Sequence, residues 1–481
     1  MSSSARTSRS RDRAGCALLL VLTLTGCVTE IGTHDDAGPS RADARGPHDD
    51  AGVVSDTGVV SDTGASDAGP RDAASDAGAT DAGPGDTGPT GPVLYPYETR
   101  HSPVDLAIAD ALRARAAAHP DRRDDVFAKV GDSITVSTAF LACFVTGPVD
   151  LGGRDALTAT LTHFRAGDAA GTDPFRRVSS AAGIGWSASR ALSGSPSPLT
   201  EELDALSPRF ASLMYGTNDS GFVDLDSYGR NMTSIVEQML AVGTIPILSS
   251  IPPRDDDAAA DLRVPVFNAL VRALAASRGL PFVDYHRELL PLAGHGLTSV
   301  DHLHPQAYMN GCVLSPTGLA AGANVRNLLV LEALERLRQV VLVGTDALDA
   351  SAPHLAGAGT SADPYVVPSL PFAGHLDTRT DGEARVDRWD GCSTANESGP
   401  EVRFRFHLAA ATRVTAAVSS GAGADLDVHV VPAGSTGACQ ARDNRQVDVD
   451  LAAGDWELVI DTYAGASGPL PGEGLVALVP R

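Results

Sequence analysis

The chain has 481 residues, more than one hydrophobic core ordinarily supports, so two folded domains are expected. With 60 acidic against 37 basic residues its formal net charge is −23. A surface of that sign repels phosphate backbones and argues against nucleic acid as a partner.

Residues 1–27 have the order of an export signal: Arg6, Arg9, Arg11 and Arg13, then the apolar run Ala17 to Leu24, then small residues up to Cys27. The apolar run is too short to span a bilayer. Leu24-Thr25-Gly26-Cys27 resembles a bacterial lipobox, which implies lipidation of Cys27, attachment to a membrane through that lipid, and location at the cell envelope (outer membrane or cell surface). Loss of residues 1–26 removes four Arg and one Asp, so the mature chain carries −23 − 3 = −26. Residues 28–92 cycle through Ser55-Asp-Thr-Gly58, Ser66-Asp-Ala-Gly69 and similar units, with no aromatic residue before Pro92. Such a stretch buries too little apolar area to offset its chain entropy and reads as an acidic, disordered tether.

A first domain is expected over residues 93–343. Ser102 as N-cap with Pro103 at the first helical position, followed by Val104, Ile108 and Leu112, predicts a helix ending before Pro120. Strands are predicted at Phe127 to Val130, Arg177 to Ala181, Phe210 to Tyr215, Ile245 to Ser250 and Pro281 to Asp284. Helices are predicted at Tyr228 to Ala241, at Val264 to Ser277 and from Pro316 to about Val340. Alternation of this kind implies an α/β domain, a parallel sheet with helices on both faces. Residues 344–356 are rich in Gly, Ala and Ser and read as a linker. Beyond it the period becomes two, at Val402 to Leu408, Arg413 to Val418, Leu426 to Val430, Val447 to Leu451 and Trp456 to Asp461, so residues 357–481 are expected to form an all-β sandwich.

Chemistry concentrates at three places. Gly131-Asp132-Ser133 puts a hydroxyl at the carboxyl end of the strand before it, where open α/β sheets bind ligands. Gly216-Thr217-Asn218-Asp219 closes another strand. Asp301-His302-Leu303-His304 supplies a carboxylate and an imidazole. A serine hydroxyl needs a base to take its proton, and the base needs an acceptor to fix its tautomer, so Ser133, His304 and Asp301 are the candidate nucleophile, base and orienting carboxylate. Other readings remain at this stage. Gly131-Asp132-Ser133 could be a turn and cap only, Asn218 could merely satisfy a loop backbone, and His302 with His304, assisted by Asp301 or Asp284, could bind a metal. His286 and His295 belong to no motif.

Taken in order, these blocks, with Thr244 to Pro253 between them, resemble the SGNH or GDSL hydrolases over roughly residues 121–340. The resemblance implies a flavodoxin-like sheet, serine ester hydrolysis without a cofactor or metal, and an oxyanion hole made by the amides of Ser133 and Gly183 and the side chain of Asn218. Gly185 is the alternative to Gly183. It further implies an exported esterase acting on short-chain or acetyl esters, with a glycan acetyl ester or a short acyl ester as substrate. A surface glycan-binding or adhesin lipoprotein with an inert hydrolase-like domain is the alternative. Asp425-Leu-Asp-Val-His429, Ala452 to Trp456 and Val459 to Tyr463 resemble the bacterial pre-peptidase C-terminal domains. Once Cys16 and Cys27 are set aside, Cys143, Cys312, Cys392 and Cys439 remain, an even number that favours disulfides in an exported protein. Cys392 and Cys439 pair within the sandwich in this reading. Cys143 with Cys312 is either a second bond, tying the serine segment to the histidine loop, or two buried apolar thiols.

Overall fold

The computed structural model describes residues 91–392 and 394–481. The expected signal, Cys27 and nearly all of the tether lie outside the described residues. Among the described residues no helix is long and apolar enough to cross a membrane.

The first half is built on a parallel sheet of β1 (Arg123–Gly131), β2 (Pro208–Met214), β3 (Ile245–Ser249) and β4 (Phe282–Val283), hydrogen-bonded in that order. All seven residues of β2 and all five of β3 are buried, as helices covering both sides of a parallel sheet require. Helices Leu225–Ala241 and Val264–Arg278 pack on each other and on β3, while helices Thr158–Arg165 and Pro198–Leu206 pack on β1. Edge-to-face contacts of Phe127 with Phe164 and Phe175, and of Phe164 with Phe210, fill the core around β1. Asp224 caps the first of these helices by accepting from the Ser227 amide, and Gly279 in the left-handed region ends the second.

Two expected elements differ. The predicted strand at Arg177 to Ala181 shrinks to one parallel bridge, Gly131 with Ala182, on the free side of β1. Its polar groups bond elsewhere: Arg177 and the Ser180 amide both bind the buried carboxylate of Glu202, and the Ala181 amide donates to Ser179 Oγ. The first helix starts later than predicted, at Leu106, because Asp105 rather than Ser102 caps it. Ser102 is used by the sheet instead, accepting from and donating to the backbone of Phe282 at the edge of β4. Near the end of this half, a short 3₁₀ turn at Gly318–Ala320 precedes the long helix Gly322–Leu337, and a wider turn follows at Arg338–Val343.

Residues 344–356 run along the amino-terminal segment, where Leu355 and Leu94 donate to the carbonyls of Pro92 and Pro353 and Leu348 donates to Val104. The second half is a sandwich of two sheets. Its strands are β5 (Tyr365–Val366), β6 (Phe372–Asp377), β7 (Val402–Leu408), β8 (Thr412–Ser420), β9 (Leu426–Pro432), β10 (Ala441–Asp443), β11 (Gln446–Leu451), β12 (Gly454–Thr462), a small hairpin of β13 (Ala464–Gly465) and β14 (Gly468–Pro469), and β15 (Glu473–Pro480). The sheets run β10-β9-β12-β7-β5 and β11-β8-β15-β6. A bond between Cys392 and Cys439 staples the first sheet's outer loops.

Three strands of the second sheet, β8, β15 and β6, are buried on both faces. Val414, Ala416, Val418, Val476 and Leu478 point into the sandwich, whereas the alternate residues Ala417, Leu475, Ala477 and Val479 join the core of the parallel-sheet half. They lie on helices Leu225–Ala241 and Val264–Arg278. Alanine at 373, 417 and 477 and glycine at 229 let the layers approach closely. A side-chain carbon on Gly229 would sit 2.1 Å from Ser419 Oγ. Asp226 seals the edge by accepting from the Ser420 amide at 2.9 Å and pairing with Arg445 at 3.1 Å.

Candidate active site

β1 ends at Gly131, and Asp132 turns the chain into the short helix Ser133–Val136 by accepting from the Ile134 amide at 3.0 Å. The Asp132 carboxylate is fully buried. Burial pushes its pKa up, against the pull of the Arg326 charge and the Ile134 hydrogen bond. This turn lifts Ser133, half-buried, to the carboxyl edge of the sheet.

The histidine loop reaches the same edge from far along the chain. Ser133 Oγ lies 2.8 Å from His304 Nε2, and His304 Nδ1 lies 2.7 Å from Asp301 Oδ2. The other carboxylate oxygen of Asp301 accepts from Thr298 Oγ1 at 2.5 Å and from the amides of Leu303 and His304, each at 3.1 Å. Partial burial opposes the charge of Asp301, but these hydrogen bonds and that from the His304 ring outweigh it and hold the carboxyl well below the usual range. Asp301 is therefore charged at neutral pH, aligned on the ring nitrogen that faces away from the serine. Both nitrogens of His304 are thus engaged, which leaves the ring no atom for a metal. Among the described residues no three His, Cys, Asp or Glu side chains converge to hold one. His302 adopts a left-handed backbone and is exposed, and His295 pairs with Asp255 at 2.9 Å.

Asn218 follows β2, in a loop that Arg254 grips through the Thr217 carbonyl and Ser220 Oγ. Its side-chain amide donates to the Trp186 carbonyl at 2.9 Å, and among the described residues the second N–H of that group has no protein acceptor. The partner segment is a tight turn, Gly183 to Trp186, closed by the Trp186 amide on the Gly183 carbonyl. Gly185 sits at its third position with φ of +73°, a conformation that glycine adopts without strain. Tyr215 anchors the turn by donating to the Ala181 carbonyl at 2.8 Å.

The two glycines of this turn are not equivalent. The amide of Gly183 donates to the Gly131 carbonyl at 3.1 Å in the bridge beside β1, so it is not free to serve an oxyanion. Among the described residues the amides of Gly185 and Ser133 donate to no protein acceptor. The bridge beside β1 thus occupies the Gly183 donor expected for the oxyanion and leaves that of Gly185, the alternative, unspent.

Asp219 is buried and accepts from the Ala188 amide at 3.0 Å, tying the Asn218 loop to the segment after the turn. Burial, helped by repulsion from Asp132, pushes its pKa to about 6 although the Ala188 hydrogen bond pulls the other way. A cavity of about 30 Å³ abuts His304, walled by Ile134, Phe140, Ala323 and Arg326. A cavity of about 400 Å³ lies near Arg278, His375 and Glu473 and touches none of the triad. Thr298, Trp186, Arg326 and Asn327 escaped the sequence reading. They are ordinary residue types outside any motif, and only the Thr298 to Asp301 spacing of three, common in turn hydrogen bonds, carried a local signal.

This fold and this serine, histidine and carboxylate chain define a serine ester hydrolase of the GDSL type. The GDSL-like Lipase/Acylhydrolase family matches residues 129–310, which therefore form a GDSL-like lipase/acylhydrolase domain. No curated protein matches the chain. Solved structures similar to it include a GDSL-like lipase from Bacteroides thetaiotaomicron, at 20% identity over 48% of this chain and 98% of that one, with a TM-score of 0.28. A lipase/acylhydrolase from Enterococcus faecalis matches at 16% identity over 44% and 94%, TM-score 0.30. The pre-peptidase C-terminal domain of a collagenase from Bacillus anthracis matches at 12% identity over 24% and 91%, TM-score 0.17.

Proposed function

We propose that this protein is an exported esterase that removes short acyl groups, acetyl above all, through an acyl-enzyme on Ser133. The observation that carries the proposal is the unbroken line from Ser133 Oγ through His304 to Asp301, with links of 2.8 and 2.7 Å. In the proposed reaction His304 Nε2 takes the serine proton as Oγ attacks the ester carbonyl, and Asp301 stabilises the imidazolium that results. Negative charge gathers on the former carbonyl oxygen. The amides of Ser133 and Gly185 and the second N–H of Asn218 are the donors proposed to receive it, a contribution that is commonly the largest single one in acyl transfer. His304 then protonates the departing alkoxide, and a water, activated by the same ring, hydrolyses the acyl-enzyme.

A short acyl group is favoured because the cavity against His304, about 30 Å³, has room for roughly two water-sized groups. Bonds between Cys143 and Cys312 and between Cys392 and Cys439 fit an oxidising compartment, as does the export signal expected from Leu24 to Cys27. Lipid attachment at Cys27 and location at the cell envelope are part of the same proposal. The test is Ser133→Ala assayed on a ladder of acyl esters, with mass spectrometry of the wild type after a fluorophosphonate probe. Wild-type activity should be steepest on acetate esters, vanish in Ser133→Ala, and coincide with a covalent adduct on Ser133. Hydrolysis at the wild-type rate by Ser133→Ala would overturn the proposal.

A further inference from the structure

The serine and the histidine reside on segments that are far apart in the chain, and the 2.8 Å between them has to be maintained by something other than their own hydrogen bond. The helix Gly322–Leu337 touches both segments through buried polar side chains. Asn327, fully buried, accepts from the Leu141 amide at 2.9 Å and donates to the Ala139 carbonyl at 2.8 Å, both on the serine side. It also donates to the Gly311 carbonyl at 2.9 Å on the histidine side. One carboxamide thus spends both N–H groups and its oxygen on joining the two segments. Leu141, one of the residues it holds, has φ of +64°, a conformation that a leucine keeps only when its surroundings impose it.

The neighbouring residues extend the grip. Arg326 donates to Thr135 Oγ1, within the helix that begins at Ser133, at 2.8 Å. Asn324 accepts from the Tyr308 amide at 2.9 Å and donates to the Val313 carbonyl at 2.9 Å, beyond His304. The Cys143–Cys312 bond joins the same two segments beside Asn327, whose amide lies 3.5 Å from Cys143 Sγ.

We propose that Asn327 is a positioning residue for the reaction, the hydrogen-bonded tie that sets the separation of the nucleophile and its base, acting in parallel with the disulfide. The inference rests on the esterase reading above. Misplacement of a catalytic group by a fraction of an ångström is felt in the chemical step and little in substrate binding. Accordingly, Asn327→Ala in the full mature chain should lower kcat by about tenfold or more, leave KM within about threefold, and slow phosphonylation of Ser133 in parallel. Cys143→Ala/Cys312→Ala should cost less than about threefold while Asn327 remains. Joined to Asn327→Ala it should lower kcat by more than the product of the separate losses, since the disulfide then no longer limits the drift that loss of the carboxamide allows.

A folded Asn327→Ala with kcat within about threefold of wild type, or with a loss that falls on KM, would overturn the proposal. So would a combined variant whose losses simply multiply. Should Asn327→Ala fail to fold, Asn324→Ala, which frees only the histidine side, decides by the same split of kcat from KM. A wild-type protein that hydrolyses no ester and takes no phosphonate would instead remove the esterase reading, an outcome distinct from any of these.

Discussion

Gly229→Ala tests whether the sandwich is an integral layer of the molecule. In an exposed helix this change stabilises by about 0.5–1 kcal/mol, because alanine gives up less conformational freedom on folding. Here the new carbon would lie 2.1 Å from Ser419 Oγ and 2.5 Å from Ser419 Cβ. Rotation of the hydroxyl relieves the first contact but not the second, which falls roughly 1 Å short of ordinary carbon–carbon contact. Helix Leu225–Ala241 must then withdraw from β8 across a face that also carries Ala417 and Ala477. Overpacking of that kind costs about 1–3 kcal/mol, so the mid-range balance against that gain is a net destabilisation of about 1 kcal/mol. Urea unfolding of Gly229→Ala should show the loss, and Gly229→Ala/Ser419→Gly should recover it. A single variant as stable as wild type, or more so, would refute the docking argument, since the sign alone separates a covered glycine from an open one.

Asp301→Asn should leave the fold unchanged and lower kcat on the order of 10³–10⁴-fold, because the neutral amide cannot stabilise the imidazolium and can present its N–H to the ring; pre-steady-state kinetics of acylation would locate the loss in the first step. For Asp219 the folded pKa of about 6 lies above the ordinary 3.8, so the native state prefers the protonated acid and the carboxylate's burial is increasingly felt as pH rises from 3.8 to about 6. The stability of Asp219→Asn relative to wild type should therefore climb over that interval, by up to about 3 kcal/mol, provided the amide oxygen keeps the Ala188 hydrogen bond; a flat difference in urea midpoints across the interval would count against the buried charge. Loss of the Cys392–Cys439 bond, which spans a sequence separation of 47, should destabilise the sandwich by about 4 kcal/mol on the chain-entropy model, read as a lower thermal midpoint of Cys392→Ala/Cys439→Ala.

The triad was legible because each member sits in a short motif at a strand end, where chain topology alone brings ligand-binding loops together. The candidate oxyanion glycine was harder. Gly183 and Gly185 are both good turn residues, and the choice depends on which amide the bridge to Gly131 consumes, a tertiary fact. Ser102 misled for a related reason, since it is an acceptable cap by type but β4 claims its backbone and hydroxyl first. In the sandwich, β7, β8 and β12 alternated visibly, yet β15 did not. Leu475-Val-Ala-Leu-Val479 is apolar at every position because both faces of this central strand meet apolar cores, whereas β8 beside it keeps its alternation through the buried polar residues Thr415 and Ser419.

That double burial also bears on how the two halves relate. A sheet with one solvated face can be detached with its domain, whereas β8, β15 and β6 lend alternate residues to two cores at once. Helices Leu225–Ala241 and Val264–Arg278, which they cover, follow β2 and β3 in the chain, and the first of them begins only seven residues after Asn218. Removal of the sandwich would uncover the apolar backs of these helices and loosen the layer from which the Asn218 loop departs, while helix Gly322–Leu337, which braces Ser133 and His304, touches none of the sandwich strands strongly. Truncation before residue 357 should thus weaken stability and the support of Asn218 before it disturbs the Ser133–His304 separation, so a truncated chain that still folds would lose oxyanion stabilisation ahead of its nucleophile.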